Sequence, residues 1–151
     1  MIATQFMTPV AYESAASCAM TEVISRCLEE TLNQYAYYAD VASLSFTTTV
    51  TRLGFDISVA GFDHKAPVLL QMILETLRSM EISSALFDRV KDKIMKNYQN
   101  FEFKQAYQHA LYYAVICMEW PRWIHAEKCQ ALAPITVDEI QAFKLRYVSC
   151  K

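Results

Sequence analysis

The sequence predicts an α+β fold, in which helices cover one face of an antiparallel sheet and form a two-layer sandwich. Two stretches, 44–51 and 55–60, alternate apolar with polar residues and are rich in β-branched side chains, which is typical of a half-buried hairpin. Residues 14–40, before the hairpin, contain no glycine or proline and repeat apolar residues every three or four positions. That period is typical of a helix buried on one side.

Length and composition exclude several classes of protein. The 151 residues are expected to form a single domain, 1–151, and with 54% apolar and 20% charged residues the chain should be packed rather than disordered. A net charge of −2 gives no basic surplus, so nucleic acid is not an expected partner. The two glycines, Gly54 and Gly61, are too few for the Rossmann fingerprint, and their spacing does not fit a P-loop nucleotide site.

The first elements are a strand over residues 1–7 and a helix over residues 14–40. Thr8-Pro9 breaks the strand, and Pro9 restricts the residue before it to extended conformations. The helix is predicted to bury one apolar stripe, made of Cys18, Ala19, Val23, Cys27, Leu28 and Leu32.

The hairpin follows directly. Gly54 is predicted to supply the positive φ that its turn needs. The inward positions of the two strands are Leu44, Phe46, Thr48 and Val50, then Phe55, Ile57 and Val59.

The next helices are predicted from their caps. Asp63 is the expected cap of a helix whose apolar face carries Leu70, Ile73, Leu74 and Leu77. Ser83 caps a second helix, with a hydrophobic staple between Ile82 and Phe87. In this second helix Leu86, Val90, Ile94 and Phe101 should point inward, and Lys91, Asp92, Lys93 and Lys96 should face solvent.

Two further helices complete the pattern. A helix over residues 104–119 should end before Pro121 and carry Tyr107, Leu111, Ala114, Val115 and Met118 on one side. Thr136 and Glu139 form a capping box flanked by the apolar pair Ile135 and Ile140, which starts the last helix at Val137.

No catalytic or metal-binding motif is evident. The histidines His64, His109 and His125 lie in none of the helical zinc motifs. His125 and Cys129, four apart on a helix, could offer two zinc ligands, but a stable site needs three or four, so we expect ordinary residues there. An independent enzyme would need a site that no motif indicates, since neither a nucleophile elbow nor a papain-type cysteine signature is present.

The aromatic cluster of Tyr35, Tyr37 and Tyr38 has two interpretations. It could contact peptides, because tyrosine combines an apolar ring with a polar tip. Alternatively, one or two rings pack under the hairpin while the others stand exposed. The pattern alone favours packing.

The cysteines and the N-terminus predict a cytoplasmic location. Five cysteines without CxxC spacing do not resemble a disulfide framework, so reduced thiols are expected. The first basic residue is Arg26, which argues against a secretory signal. The longest apolar run, 110–118, is too short to span a bilayer, so no membrane partner is expected.

Four collinear segments carry a family resemblance that covers essentially the whole chain. They read LNQYAYYADVASLSF, GFDISVAGFDHKAPVLLQMILETL, FEFKQAYQHALYYAV and LAPITVDEIQAF. Together they resemble the third, non-catalytic domain of zinc metallopeptidases of the insulin-degrading-enzyme type. These enzymes belong to the pitrilysin superfamily, which includes nardilysin.

The resemblance implies four homologous α+β domains that enclose a chamber where peptides are cleaved. Zinc is bound in the first domain, through an HxxEH helix and a downstream glutamate. The corresponding helix here, Ser14–Ser25, reads SAASCAMTEVIS and contains no histidine. The chain is therefore expected to be inactive by itself, with zinc only in the catalytic domain of the parent peptidase. The family's domain also starts before Met1 and continues past Lys151, so a domain truncated at both ends is expected.

The resemblance also indicates a substrate contact at Tyr37, the position matching an aromatic residue of the family's substrate exosite. The function it implies is a non-catalytic domain of the peptidase's substrate chamber. Its partners would be the other domains and peptide substrates, and the isolated chain is expected to self-associate. The alternative is a free-standing α+β interaction module without peptidase activity.

Overall fold

The computed structural model describes residues 1–51, 54–61, 64–119 and 122–149. A three-stranded antiparallel sheet is formed by β1 (Ile2–Met7), β2 (Ser45–Thr51) and β3 (Gly54–Ala60). β3 lies in the centre, because it pairs with β1 on one side and β2 on the other. The predicted hairpin and the predicted α+β class are both confirmed.

In the part of the chain that the structure describes, six helices follow or connect the strands. None of them, within the described ranges, is both long and apolar enough to cross a membrane. Short 3-10 turns lie at Pro9–Tyr12 and Phe101–Phe103. The helices are α1 (Ala15–Val41), α2 (Ala66–Ser79), α3 (Ser84–Asn100), α4 (Ala106–Met118), α5 (His125–Leu132) and α6 (Val137–Ser149).

The core lies between the sheet and the helices, which confirms the two-layer arrangement. Phe55, Ile57 and Val59 of β3 are fully buried, while Asp56 and Ser58 on the other face remain partly accessible. This alternation follows from the two-residue period of a strand. The apolar stripe predicted for α1 is also buried, at Cys18, Ala19, Val23, Cys27, Leu28 and Leu32.

Two predicted caps are present, at Ser83 and Thr136, and Ser14 supplies a third that was not predicted. The Ser14 hydroxyl accepts a hydrogen bond from the Ser17 amide at 3.1 Å, and the Ser83 hydroxyl accepts one from the Leu86 amide at 3.3 Å. Thr136 and Glu139 form their reciprocal box ahead of α6. The predicted cap Asp63 and the predicted stop Pro121 lie outside the described residues; α2 begins at Ala66, with Lys65 in the N-cap position.

Helix α3 differs from its predicted pattern at Lys91, whose assignment to the solvated face was wrong. The Lys91 ammonium donates to the carbonyl oxygens of Ala133 and Ile135, at 2.8 and 2.9 Å. It thereby ties α3 to the segment before α6. Val90 and Ile94 are buried as predicted, but Leu86 and Phe101 are only half-buried, and Asp92, Lys93 and Lys96 are exposed as predicted.

A second lysine is buried outright. Lys144 on α6 is 2% exposed and donates to the carbonyl oxygens of Arg78 and Met80, where α2 ends. Burial lowers the pKa of Lys144, and the nearby Glu81 carboxylate partly offsets that effect. The ammonium satisfies carbonyls at the C-terminal end of α2 and holds α6 against it.

Helix α4 leaves its apolar side uncovered. Tyr107, Leu111 and Met118 are 59, 63 and 78% exposed, and no residue of α4 is buried. The three- and four-residue spacing correctly predicted a helix with these residues on a shared side. It did not reveal that the described part of the chain provides no surface to cover that side.

Candidate functional site

Tyr37 lies on the last turns of α1 and projects into solvent. Its side chain is 71% exposed, and its ring meets the Tyr38 ring edge to face, with 5.8 Å between centroids. Tyr35 and Tyr38 are 41 and 72% exposed. The interpretation that one or two of these rings pack under the hairpin was therefore wrong, because all three rings are exposed.

The end of α1 is fixed by a Schellman motif. The Leu44 amide donates to the Ala39 carbonyl and the Ser43 amide to the Asp40 carbonyl, each at 2.8 Å. Ser43 takes the left-handed conformation that this motif requires, with φ of 54°. Leu44 and Ala39 are both buried, which is the apolar contact that accompanies the motif. The connection places the start of β2 beside Tyr37.

A cavity of about 360 Å³ lies beside Tyr37, between α1 and the start of β2. Phe46 is the second aromatic residue in its wall, and Asp40 contributes a carboxylate at the helix end. Sequence patterns assigned Phe46 only to the hairpin's inward side. The full lining is Ala36, Tyr37, Ala39, Asp40, Leu44, Ser45 and Phe46.

The residues of α1 do not fit a zinc site of the HxxEH kind. Segment 14–25 forms the start of this helix and has no histidine, and Cys18 within it is buried. In the ranges that the structure describes, no three His, Cys, Asp or Glu side chains come together as a metal site would require. We therefore derive no chemistry through zinc on this chain.

His125, half of the possible metal pair, belongs to an aromatic cluster. Its ring stacks on Tyr112 and Tyr98, with centroids 4.6 and 5.0 Å away, and meets Phe101 edge on at 4.8 Å. Burial, reinforced by the charges of Lys128 and Arg122, lowers the pKa of His125 to about 4. The imidazole is therefore neutral at pH 7 and packs as a flat ring.

Comparison with known proteins identifies the family. Residues 1–131 match the family described as the middle or third domain of peptidase M16. This chain belongs to the peptidase M16 family. The match covers β1 to α5, and thus both the Tyr37 cavity and the helix that lacks the metal motif.

M16 relatives are similar to this chain along most of its length. Human insulin-degrading enzyme is 34% identical over 139 residues, 92% of this chain and 14% of that enzyme. Insulin-degrading enzyme-like 1, peroxisomal, of Arabidopsis thaliana is 30% identical over 138 residues, 91% of this chain and 14% of that protein. Nardilysin of Pongo abelii is 30% identical over 144 residues, 95% of this chain and 12% of that protein.

The fold is shared with a solved M16 structure. The crystal structure of pitrilysin superposes with a TM-score of 0.87 at 22% identity, covering 94% of this chain and 15% of that one. The resemblance inferred from the four segments is thus confirmed for family and fold. The chain spans about 14% of the insulin-degrading enzymes it matches, and it corresponds to a non-catalytic domain of such a peptidase.

Proposed function

We propose that this chain forms part of the wall of the substrate chamber in an insulin-degrading-enzyme-like zinc metallopeptidase. In this proposal the zinc and the catalytic residues lie in another domain of the parent, which hydrolyses peptides in the cytoplasm. Membership of the M16 middle-domain family supports the placement. The single observation that carries the contact with substrate is the exposed Tyr37 ring above its cavity.

Tyr37 is suited to holding a peptide away from the site of cleavage. An exposed ring beside Phe46 and Leu44 offers apolar area, and the phenol hydroxyl offers a hydrogen-bond partner. Such a contact binds the ground state and the transition state of hydrolysis equally, because it lies outside the reacting bond. Its loss should therefore change KM rather than kcat.

Replacing Tyr37 in the parent peptidase tests this role. We expect Tyr37→Ala to raise KM for long peptides roughly three- to tenfold. This range corresponds to a loss of about 1 kcal/mol of binding free energy, which is typical of a tyrosine in an interface. KM for short peptides and kcat should stay unchanged, because only long peptides can reach both the zinc and this surface. Steady-state kinetics with matched long and short substrates measures both.

Tyr35→Ala is the matched control, since Tyr35 is also exposed on α1 but lines a different cavity. It should leave both KM values unchanged. A drop of several degrees in the melting temperature of the isolated Tyr37→Ala chain would instead show that the ring stabilises the fold.

The isolated chain is expected neither to bind zinc tightly nor to cleave peptides. The physical reason is that a stable zinc site needs three or four converging ligands. Metal analysis after dialysis against zinc-containing and then zinc-free buffer should find far less than one zinc per chain. Chelator-sensitive cleavage of a quenched peptide by the pure chain would contradict the proposal.

The second candidate function is a free-standing interaction module of the same ancestry. The exposed apolar side of α4 favours this second function, because such a surface is typical of a site that binds another protein. The two candidates differ in whether the same reading frame also encodes a catalytic domain. An HxxEH segment upstream in the same reading frame decides for the peptidase, and a reading frame without one decides for the module.

In the peptidase, we assign the uncovered side of α4 to contacts with neighbouring domains. Tyr107, Leu111 and Met118 present a continuous apolar surface of the kind that domain interfaces bury. The sheet also has open edges at β1 and β2 within the described residues.

The isolated 17.3 kDa chain is therefore expected to self-associate, most simply as a symmetric dimer. Light scattering coupled to size exclusion at micromolar concentration should give about twice the monomer mass. Leu111→Glu should shift the population towards monomer if α4 is the contact, and Leu145→Glu, on the exposed side of α6, should not. A chain that stays monomeric on concentration would contradict the expectation.

A further inference from the structure

An aromatic cavity lies where the end of α3, the turn after it, α4 and α5 meet. Its volume is about 300 Å³, and it shares no lining residue with the cavity beside Tyr37. Glu102 and Gln130 of its lining are exposed, so the cavity is accessible from solvent. Five rings form its walls: Tyr98, Phe101, Tyr112, Tyr113 and His125.

The rings of this cavity face in different directions. Tyr98, His125 and Tyr112 form a stack, with angles of 22 and 16° between neighbouring rings. The Tyr113 ring stands at 73° to the Tyr112 ring, with 5.3 Å between their centroids. The Phe101 ring stands at 67° to the His125 ring. A rounded group in the cavity therefore contacts rings of several orientations at once, whereas a flat group stacks on only one orientation.

The charge of the lining favours a cation. Among the described residues that line the cavity, Glu102 is the one carboxylate, and none is a lysine or an arginine. Burial lowers the pKa of His125 to about 4, so the imidazole adds no positive charge at pH 7. The faces of aromatic rings carry partial negative charge and attract cations. Carboxylate and rings thus act in the same sense.

One ring of the cluster already has an ammonium of this chain beside it. The Lys128 ammonium lies 6.0 Å from the centroid of the Tyr98 ring, at the limit of a cation–π contact. Lys128 and Arg122 line a different cavity, which also contains the carboxylates of Glu22 and Glu119. Glu119 pairs with Arg122 there. A cation in the aromatic cavity therefore meets one carboxylate and no like charge in the described walls.

A methylated ammonium suits these walls better than a primary one. A primary ammonium is strongly hydrated and has three N–H donors, which ring faces leave without full hydrogen bonds. A quaternary ammonium has no N–H donor, and its rounded shell of methyl groups packs against rings of several orientations. Cages of aromatic rings recognise quaternary ammonium ligands for this reason.

We infer that this cavity binds a quaternary ammonium group, with its methyl groups against Phe101, Tyr112 and Tyr113 and its positive charge near Glu102. The ligand is a trimethylated amine, either free, as in choline, or on a trimethylated lysine side chain of another protein. The site shares no residue with the proposed substrate contact at Tyr37, so each of the two stands or fails without the other.

Choline is the probe, and its uncharged carbon isostere, 3,3-dimethylbutanol, is the matched ligand control. Proton NMR of each ligand, titrated with the 151-residue chain, measures binding, because methyl groups held against ring faces shift upfield. We expect choline to saturate with a Kd on the order of 1 mM, and the isostere to bind at least about threefold more weakly because it lacks the charge. Equal affinity for the two ligands, or no saturation by about 20 mM choline, would overturn the site.

Two peptides that differ only in methylation of one lysine distinguish the sources of the ligand. If the trimethyllysine peptide binds at least about tenfold more tightly than choline, the site takes a modified protein; if it binds no more tightly, the site takes a free amine. Either result supports the site. An unmethylated peptide that binds as tightly as the trimethylated one would contradict the assignment to a quaternary ammonium.

Tyr113→Leu and Glu102→Gln test the walls of the cavity. We expect Tyr113→Leu to weaken choline about fivefold and Tyr113→Phe to weaken it less than about twofold, because phenylalanine keeps the ring. Glu102→Gln should weaken choline about two- to fivefold, as expected for one exposed ion pair, and leave the affinity for the isostere unchanged.

Tyr107→Leu is the matched control for Tyr113→Leu. Both tyrosines lie on α4 and are similarly exposed, 59% at Tyr107 and 54% at Tyr113, but Tyr107 does not line the cavity. Its replacement should leave choline binding unchanged. Melting temperatures equal to that of the unsubstituted chain establish that the variants fold. Equal effects of the two leucine substitutions would show that choline binds elsewhere and would overturn the site.

Discussion

Raising the pH above about 10 is expected to unfold the domain, because four buried acids must stay protonated for it to fold. Burial raises the pKa of Tyr98 and Tyr147, and for Tyr98 the Glu22 carboxylate adds to the effect. Burial also raises the pKa of Cys18, and it raises that of Cys27 to about 12. All four side chains are at most 6% exposed.

The direction follows from the protons bound in each state. Above the ordinary thiol and phenol values of 9.0 and 10.0, the unfolded chain releases protons that the folded chain retains. Each such group then costs about 1.4 kcal/mol of unfolding free energy per pH unit until its folded pKa is reached. Four groups therefore remove several kcal/mol by about pH 11, a large part of the 5–15 kcal/mol typical of a domain. Lys144 has the opposite effect: between its lowered pKa in the folded chain and its ordinary value of 10.5, the free energy of unfolding rises with pH. Because it is a single group, it does not offset the loss from the other four.

Circular dichroism and tyrosinate absorbance, followed together against pH, measure the effect. A cooperative loss of helix should coincide with the ionisation of the buried tyrosines. Tyr98→Phe removes one of the four groups. The pH at which half of the variant is unfolded should therefore be higher than for the unsubstituted chain, after correction for the change in stability that the substitution causes at neutral pH. Helix content that persists unchanged to pH 12 would contradict the prediction.

Gly54→Ala is expected to destabilise the domain by about 3 kcal/mol or more, at the upper end for overpacking a core. Gly54 opens β3 with φ of 152°, and a Cβ there would lie 1.7 Å from the carbonyl oxygen of Phe6 and 2.7 Å from the Tyr147 hydroxyl. The carbonyl belongs to β1, which pairs with β3 at this point, so it cannot retreat without opening the sheet.

Chemical denaturation gives the change in unfolding free energy. Gly61→Ala is the matched control: Gly61 also has a positive φ, of 141°, but it is exposed, and a Cβ there would meet the Leu44 side chain and lie 2.7 Å from the Ser43 carbonyl oxygen, farther than the Cβ at position 54 would lie from the Phe6 carbonyl. We expect a smaller loss at Gly61. Equal losses at the two glycines would show that φ, and not the approach of β1, sets the cost.

Local signals were sufficient for most of the fold. The Ser83 and Thr136 caps involve atoms within a few residues of each other, so their sequence patterns predict them directly. Lys91 and Lys144 escaped prediction because their carbonyl partners lie at least 42 positions away in the sequence. Nothing near either lysine in the sequence distinguishes an ammonium bound to distant carbonyls from a solvated one.

The candidate site was less predictable. Tyr37 came from the family resemblance, since an exposed ring at the end of a helix has no pattern of its own. The pattern alone favoured packing under the hairpin, because it could not show that all three rings are exposed at the end of α1. The exposure of the apolar side of α4 was missed for a similar reason. Apolar residues at helical spacing indicate that this side is covered, but not whether the covering surface belongs to the same domain.

The buried Lys144 also bears on how the domain is made. The Met80 carbonyl that accepts from Lys144 lies 64 residues earlier in the chain. The ribosome therefore makes the end of α2 well before it adds Lys144. At roughly 5–20 residues per second, that interval lasts about 3 to 13 s. Throughout it, α2 has no α6 to pack against, and the inner apolar surface remains accessible to chaperones. The contact between α6 and the end of α2 therefore forms several seconds after α2 has been made.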